Sequence, residues 1–282
     1  MTMTGARTTL SAIVEGTGMI TRRPVAPIQG VLGCYFAITR APGTTIQTLP
    51  DASAYLVIDI PRGAGPRCML TAPRLKTVRS SPVRKPIDYV GVRLLPGVAF
   101  LLTGSAIRPL IGQRLPLARF LGSCATRLAK AVSEADSTDT RFDLLEGFLL
   151  ERLAREQLDE RVYRALRLIE HSSGTLEVPA VAERCGISVR QLERLLLTWV
   201  GISPKRLARI ARFQAVLGQA EKGLSESGLA GKSSTPQWTN LAAEQHYTDQ
   251  AHLIHEFSGF TDASPTRFSP LYSPDSLKSK CD

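Results

Sequence analysis

Histidine is scarce in this chain of 282 residues, and unevenly placed: all four, His171, His246, His252 and His255, fall after residue 170. The first half therefore has no imidazole to ligate a metal inside a β-rich barrel. Nor does it have a base for a Ser-His-Asp triad confined to it. Cys34, Cys68, Cys124, Cys185 and Cys281 are odd in number, widely spaced and form no CxxC pair. No zinc cluster or disulfide framework can be read from them, and a reducing, cytoplasmic setting is expected. No apolar run approaches the roughly 18 residues of a membrane span, so no membrane partner is expected. The opening MTMTGARTTLSAIVEG lacks the apolar core and cleavage site expected of a secretory signal. GAGP near residue 65 and GTTIQTLPD near residue 45 are too weak to be phosphate loops. No metal and no cofactor are expected.

What is present is the balance of a globular protein long enough for two domains: 43% hydrophobic and 21% charged residues. The net charge of +10 suits a polyanionic partner. Its local distribution says more. Between Arg184 and Arg212 stand seven basic residues, and Glu193 is the one acid.

The first half reads as β followed by α. Gly30–Thr39, Ala54–Ile60, Arg67–Leu75 and Tyr89–Leu95 are short apolar or β-branched runs punctuated by Pro and Gly, which predicts strands. Pro96 suits the first turn of a short helix through Leu102. Leu117, Phe120, Leu121, Cys124 and Leu128 fall on one helical face. Ser137–Asp139 can cap a helix carrying Leu144, Leu145, Phe148, Leu149 and Leu153. The apolar arc of that helix is broad enough to be buried or shared with a second subunit. From Asp159 the periodicity is helical almost to the end. The expected fold is α+β: a β-rich domain with helices over 1–157, an all-α domain over 158–269 and a disordered tail over 270–282.

The segment VPAVAERCGISVRQLERLLLTWVG predicts two short helices crossing at a tight turn. Ala182 is small where the helices must touch, and Gly186 four residues later supplies the left-handed turn. Val181, Cys185, Ile187, Leu192 and Leu195 fill the shared core, and Ser188 is a good N-cap. In the second helix Leu192, Leu195, Leu196, Trp199 and Val200 define the inside. Arg190, Gln191, Glu193 and Arg194 lie outside near its N-terminus, where a recognition helix meets base edges. Arg pairs with guanine and Gln with adenine by bidentate hydrogen bonds. In the following SPKRLARIARFQ, a helix starting near Pro204 presents Lys205, Arg206, Arg209 and Arg212; with Ser188, these are the expected phosphate contacts.

The same shape recurs at WTNLAAEQHYTDQAHLIHEFSGFTDASPTRF. Leu241 and Ala242 stand where Val181 and Ala182 stood, Asp249 can cap, and Leu253 and Phe257 point inward. Gln250, Ala251, Ile254 and His255 face outward, while His252 suits packing beside the helix. His246 replaces the expected Gly, and Gln245 fills a normally apolar place.

These two units over about 110 residues, from Asp159 to Phe268, with ISPKRLARIARFQ after the first and DASPTRF closing the second, resemble the AraC family of transcription regulators. The resemblance implies two helix-turn-helix units entering successive major grooves. It would place Arg190, Glu193 and Arg194 in the first groove, and Gln250, Ala251, Ile254 and His255 in the second. KGLSESGLAGKSSTPQ, before the second unit, is longer than the family pattern. LPDASAYLVIDI, DYVGVRLLPGVAFLL and FDLLEGFLLERLA resemble the sensor-like half of one branch of that family. The partners thus implied are double-stranded DNA, RNA polymerase, a small-molecule effector and a second copy of the chain. The implied role is a non-enzymatic, one-component regulator such as an activator. Two other readings compete: a sequence-independent architectural DNA binder, and a DNA-repair-type enzyme with Cys34, Cys68 or Cys124 as nucleophile.

Overall fold

Apolar runs with polar residues at their ends fold here into a β-rich half. The computed structural model describes residues 12–14, 19–154, 156–228, 238–245 and 247–268. Its strands are β1 (Ala12–Val14), β2 (Met19–Arg22), β3 (Leu32–Arg40), β4 (Ile46–Thr48), β5 (Ala54–Pro61), β6 (Arg67–Thr71), β7 (Val78–Arg79), β8 (Ile87–Leu94) and β9 (Arg114–Pro116). All pairings are antiparallel. The larger sheet has the order β2-β3-β8-β5-β6-β9 and the smaller one β1-β4-β7.

β3, β5 and β8 are the long central strands, and both of their faces are covered. This is why they read as nearly continuous apolar runs. On one face Leu56, Ile58, Leu70, Val90 and Val92 pack against helices. Cys34, Phe36, Ile38, Tyr55 and Val57 form a second cluster with Met19, Ile46 and Tyr89. The strand expected over Arg67–Leu75 stops at Thr71. Pro73 offers no ladder donor, and the chain turns away to bridge Arg74 with Asp51.

The helices of this half are α1 (Val98–Thr103), α2 (Ala118–Leu121), α3 (Ser123–Glu134) and α4 (Thr138–Leu153). The single helical face expected from Leu117 to Leu128 is broken at Gly122, whose N–H closes on the Ala118 carbonyl. Ser137 caps α4 by accepting from the Thr140 N–H at 3.1 Å. The apolar arc of α4 is filled within the chain by Phe142, Leu145, Leu149 and Leu153, and Leu144 is its exposed large apolar residue.

Among the described residues from 156 onward the elements are all helices: α5 (Glu160–His171), α6 (Val178–Arg184), α7 (Val189–Trp199), α8 (Pro204–Gly228), α9 (Trp238–Glu244), α10 (Gln250–Thr261) and α11 (Pro265–Phe268). α8 runs well into the Gly- and Ser-rich stretch. Residues 229–237, His246, Cys281 and the tail over 270–282 lie outside the described residues. Among the described residues no helix is long and apolar enough to cross a membrane.

The two halves share a core. Leu49 and Ala52 belong to the same buried cluster as Val162, Ile169, Leu192, Leu207 and Phe213. Phe100 stacks on Trp199 with ring centroids 4.2 Å apart. The Ile107 N–H donates to the Thr198 carbonyl at 2.9 Å, and the Thr77 N–H to that of Phe260 at 2.8 Å. Gln214 reaches the Pro50 carbonyl through its side-chain amide.

The loop that carries Leu49 and Ala52 is held by a buried ion pair. Arg93 grips Asp51 with Nε and Nη2, each at 3.1 Å. The Tyr55 hydroxyl and the Ser53 N–H donate to the same carboxylate at 2.7 and 3.0 Å. A carboxylate so deep is tolerated only with this many donors.

Candidate nucleic-acid interface

α6 and α7 meet at a short turn in which Gly186 has φ 67°, as the spacing predicts. The Ile187 N–H returns to the Ala182 carbonyl at 3.1 Å. Val181, Ala182, Cys185, Leu192 and Leu196 are buried between the pair and α5 and α8. Leu195 and Trp199 are half-buried on the same side. The opposite side of α7 is open, with Arg190, Gln191, Glu193 and Arg194 all exposed at its N-terminal end. The far end of the helix is anchored on the β-rich half through Thr198 and Trp199.

Gln191 has a structural task in addition to its exposure. Its Oε1 accepts from the Ser188 N–H at 2.9 Å, while Ser188 Oγ accepts from the Gln191 N–H at 3.2 Å. The two form a capping box, which satisfies donors at the helix start. Thus the Ser188 hydroxyl expected on phosphate and the Gln191 amide expected on a base both serve the helix start. The S-x-x-Q spacing carried that signal. Ser188→Ala is expected to lower stability by about 1 kcal/mol, read from the thermal unfolding midpoint. A midpoint equal to that of the wild type would contradict the capping role.

Val189, at the first position of α7, is 43% exposed beside Arg190. It stands three residues before Leu192 and seven before Leu196, so the helical spacing alone assigns it to the buried side; at the first position of the helix it is nevertheless exposed.

The basic face expected on α8 is largely engaged within the chain, by partners that lie far away in the sequence. Arg206 donates to the Leu75 carbonyl at 3.2 Å. Arg209 is paired to the buried Glu256 at 2.6 Å and lies 5.6 Å from the centre of the Phe260 ring. Arg212 donates to the Gly174 carbonyl at 3.0 Å and sits over Tyr247. These three arginines, each half-buried, bind the helical half together and to its neighbour, which engages donors expected on phosphate. Lys205 alone of the four is exposed rather than half-buried.

The second helix pair, α9 and α10, places Gln250, Ala251 and His255 at the surface and leaves Ile254 half-buried. Asp249 caps α10 by accepting from the His252 N–H at 2.7 Å. Gln250 Oε1 accepts from Thr239 Oγ1 at 3.0 Å. His252 meets the edge of Tyr247 with centroids 5.3 Å apart, so it packs beside the helix as expected while remaining exposed. Leu241, Ala242, Leu253 and Phe257 are buried. This interior is more polar than that of the first pair. Gln245 is buried and donates to Gln219 Oε1 at 3.1 Å, but its own Oε1 and Trp238 Nε1 have no hydrogen-bond partner among the described residues. Burial, and then the Glu256 carboxylate, push the Tyr247 phenol well above its ordinary value.

The cysteines offer little to a nucleophilic mechanism. Cys34 and Cys68 are buried. Burial and the Asp59 carboxylate push the Cys68 thiol up to about 12, far from the thiolate that would attack. Cys124 is partly exposed and accepts from Arg127 Nη2 at 3.2 Å. Among the described residues no group of three His, Cys, Asp or Glu side chains could hold a metal ion.

No protein-family model matches the chain, and no curated protein matches it. Among solved structures, ToxT from Vibrio cholerae O395 aligns over 93% of this chain and 99% of its own, at 8% identity and a TM-score of 0.44. A second ToxT structure, at 1.65 Å, covers 84% of this chain and 97% of its own, at 9% identity and a TM-score of 0.43. The fatty-acid-bound ToxT of strain SCE256 aligns over 92% and 96%, at 10% identity and a TM-score of 0.42.

Proposed function

We propose that the chain is a sequence-specific DNA-binding transcription regulator whose two helix pairs are helix-turn-helix units. One observation carries the reading. α7 is buried along one side and capped at its start, yet it presents Arg190, Glu193 and Arg194 to solvent beyond the turn. A rigid helix with an open, arginine-bearing N-terminal end fits the major groove. There Arg190 and Arg194 pair with guanine, Glu193 accepts from cytosine, and Val189 touches a thymine methyl. α10 enters the next groove with Gln250, Ala251, Ile254 and His255. Its uncharged face makes it the weaker reader.

In this reading the chain divides near residue 157 into a β-rich regulatory domain and a DNA-binding domain. The joint at Trp199 and Thr198 supports control from the first, since any shift of the β-rich half there bears on α7. An effector, a second copy and RNA polymerase are the partners such control would serve.

Arg194→Ala is expected to relax preference at one base position and to cost about 1–3 kcal/mol of specific binding. The check is a competition gel-shift titration against a selected operator and its single-base variants. Unchanged discrimination would remove Arg194 from the base contacts. Binding abolished by random competitor DNA in the wild type would instead indicate an architectural binder.

A further inference from the structure

The second helix pair is poor in the charge that DNA binding needs. From Trp238 to Thr261 there is no Lys or Arg, and there are three acids, Glu244, Asp249 and Glu256. Phosphate contacts supply most of the sequence-independent affinity of a DNA-binding protein. Arg267, exposed on α11, is the one cation that follows as far as Phe268, so the unit offers few such contacts from its own charged side chains. Arg209, which reaches its interior from α8, is paired to Glu256.

We infer that the missing cations come from the other half of the molecule: the exposed basic ribbon at residues 74–85 binds the DNA phosphate backbone beside the second helix pair. The inference rests on the DNA-binding reading above. The ribbon reads RLKTVRSSPVRK, with five basic residues and no acid. Lys76, Arg79, Arg84 and Lys85 are exposed.

Its start is fastened to the helices. The Thr77 N–H donates to the Phe260 carbonyl at the end of α10, and the Leu75 carbonyl accepts from Arg206 on α8. The Leu75 side chain packs against the helical core. Lys76, between these two anchors, is therefore carried beside α10.

The rest of the ribbon has a fixed backbone. β7 pairs with β4, the Ser80 N–H donates to the Ile46 carbonyl at 2.8 Å, and the Gly43 N–H to that of Val83 at 2.9 Å. Arg40 Nη2 donates to the Ser81 carbonyl at 3.0 Å. Cations on a fixed backbone lose less freedom on binding than cations on a loose tail. Asp262, which follows α10 and is exposed, is a single acid set against these cations. It leaves the local balance strongly positive. Continuity with α10 favours nucleic acid over an acidic protein as the polyanion.

The test uses the full chain and the triple variant Lys76→Ala, Arg84→Ala, Lys85→Ala, with anisotropy titrations across a salt series. The probes are a selected operator duplex and a random duplex of equal length. Each phosphate that a removed cation no longer neutralises should flatten the plot of log affinity against log salt by about 0.9, so the triple variant should fall short of wild type by about 2–3 in slope. The reduction should be equal on both duplexes, because phosphates carry no sequence. The charge-preserving variant Lys76→Arg, Arg84→Lys, Lys85→Arg should retain the wild-type slope, which separates charge from folding. An unchanged slope in the alanine variant overturns the inference and leaves the DNA reading standing. Failure of the wild type to bind either duplex at low salt overturns the DNA reading, and the inference with it.

Discussion

Asp51→Asn is expected to destabilise the folded chain by about 3–5 kcal/mol, because it removes one partner of a largely buried charge pair and leaves the other. Arg93 would retain its charge with no carboxylate within reach of its Nε and Nη2 donors. Burial alone would raise the Asp51 carboxyl. The Arg93 guanidinium, with help from the Ser53 N–H and Tyr55, outweighs it and holds the group below the ordinary carboxylate range. The stabilisation is thus fully present above the unfolded value of about 3.9 and is lost as pH falls through the lower folded value. Urea unfolding at neutral pH should show the loss, and the stability of the Asn variant should vary less with pH in the acid range. Replacing the pair together, Asp51→Leu with Arg93→Met, should recover much of it, since two apolar residues leave no buried charge unpaired. A loss under about 1 kcal/mol for the single variant would show that the pair is far better solvated than its burial indicates.

Gly174→Ala is expected to be comparably damaging, for a steric reason. Gly174 ends the turn after α5 at φ +73°, where a side chain is strained. An added Cβ would lie 1.9 Å from the Ala208 carbonyl oxygen on α8. That oxygen belongs to a helical backbone and cannot swing aside, so the turn and α8 must separate. Left-handed strain plus the forced shift amounts to about 3–5 kcal/mol. The Arg212 bond to the Gly174 carbonyl would be disturbed with it. Because α5 and α8 together support α7, the melting temperature should fall, and with it, on the DNA-binding reading proposed above, operator affinity. A variant that melts like the wild type would mean that α8 tolerates a displacement its packing does not suggest.

Local features were legible in the sequence. The crossing of α6 and α7 depends on residues within one short segment, so Ala182, Gly186 and the Leu192–Leu196–Trp199 side could be read directly. The long central strands were legible for the same reason, whereas β1, β4, β7 and β9, of two or three residues each, are too short to show a period. The roles of Arg206 and Arg209 were not legible. Both lie on a helix with an open-looking basic side, and their partners, Leu75 and Glu256, come from distant parts of the chain. A spacing rule that sees one helix cannot tell a solvated arginine from one tied to another element. Nor does charge counting in α8 reveal the exposed cations at residues 74–85, a segment whose start only the fold brings to α10.

The joint between the halves also has an optical consequence. The chain has two tryptophans, and they sit in different places. Trp199 is stacked on Phe100 where the halves meet, and Trp238 is enclosed in the second helix pair. Their ultraviolet emission therefore divides by location. Parting of the halves would wet the Trp199 indole and redden its spectrum, while loosening of α9 against α10 would do the same for Trp238. With either one replaced by phenylalanine, the remaining indole becomes a colour gauge for a single moving part, with no label attached.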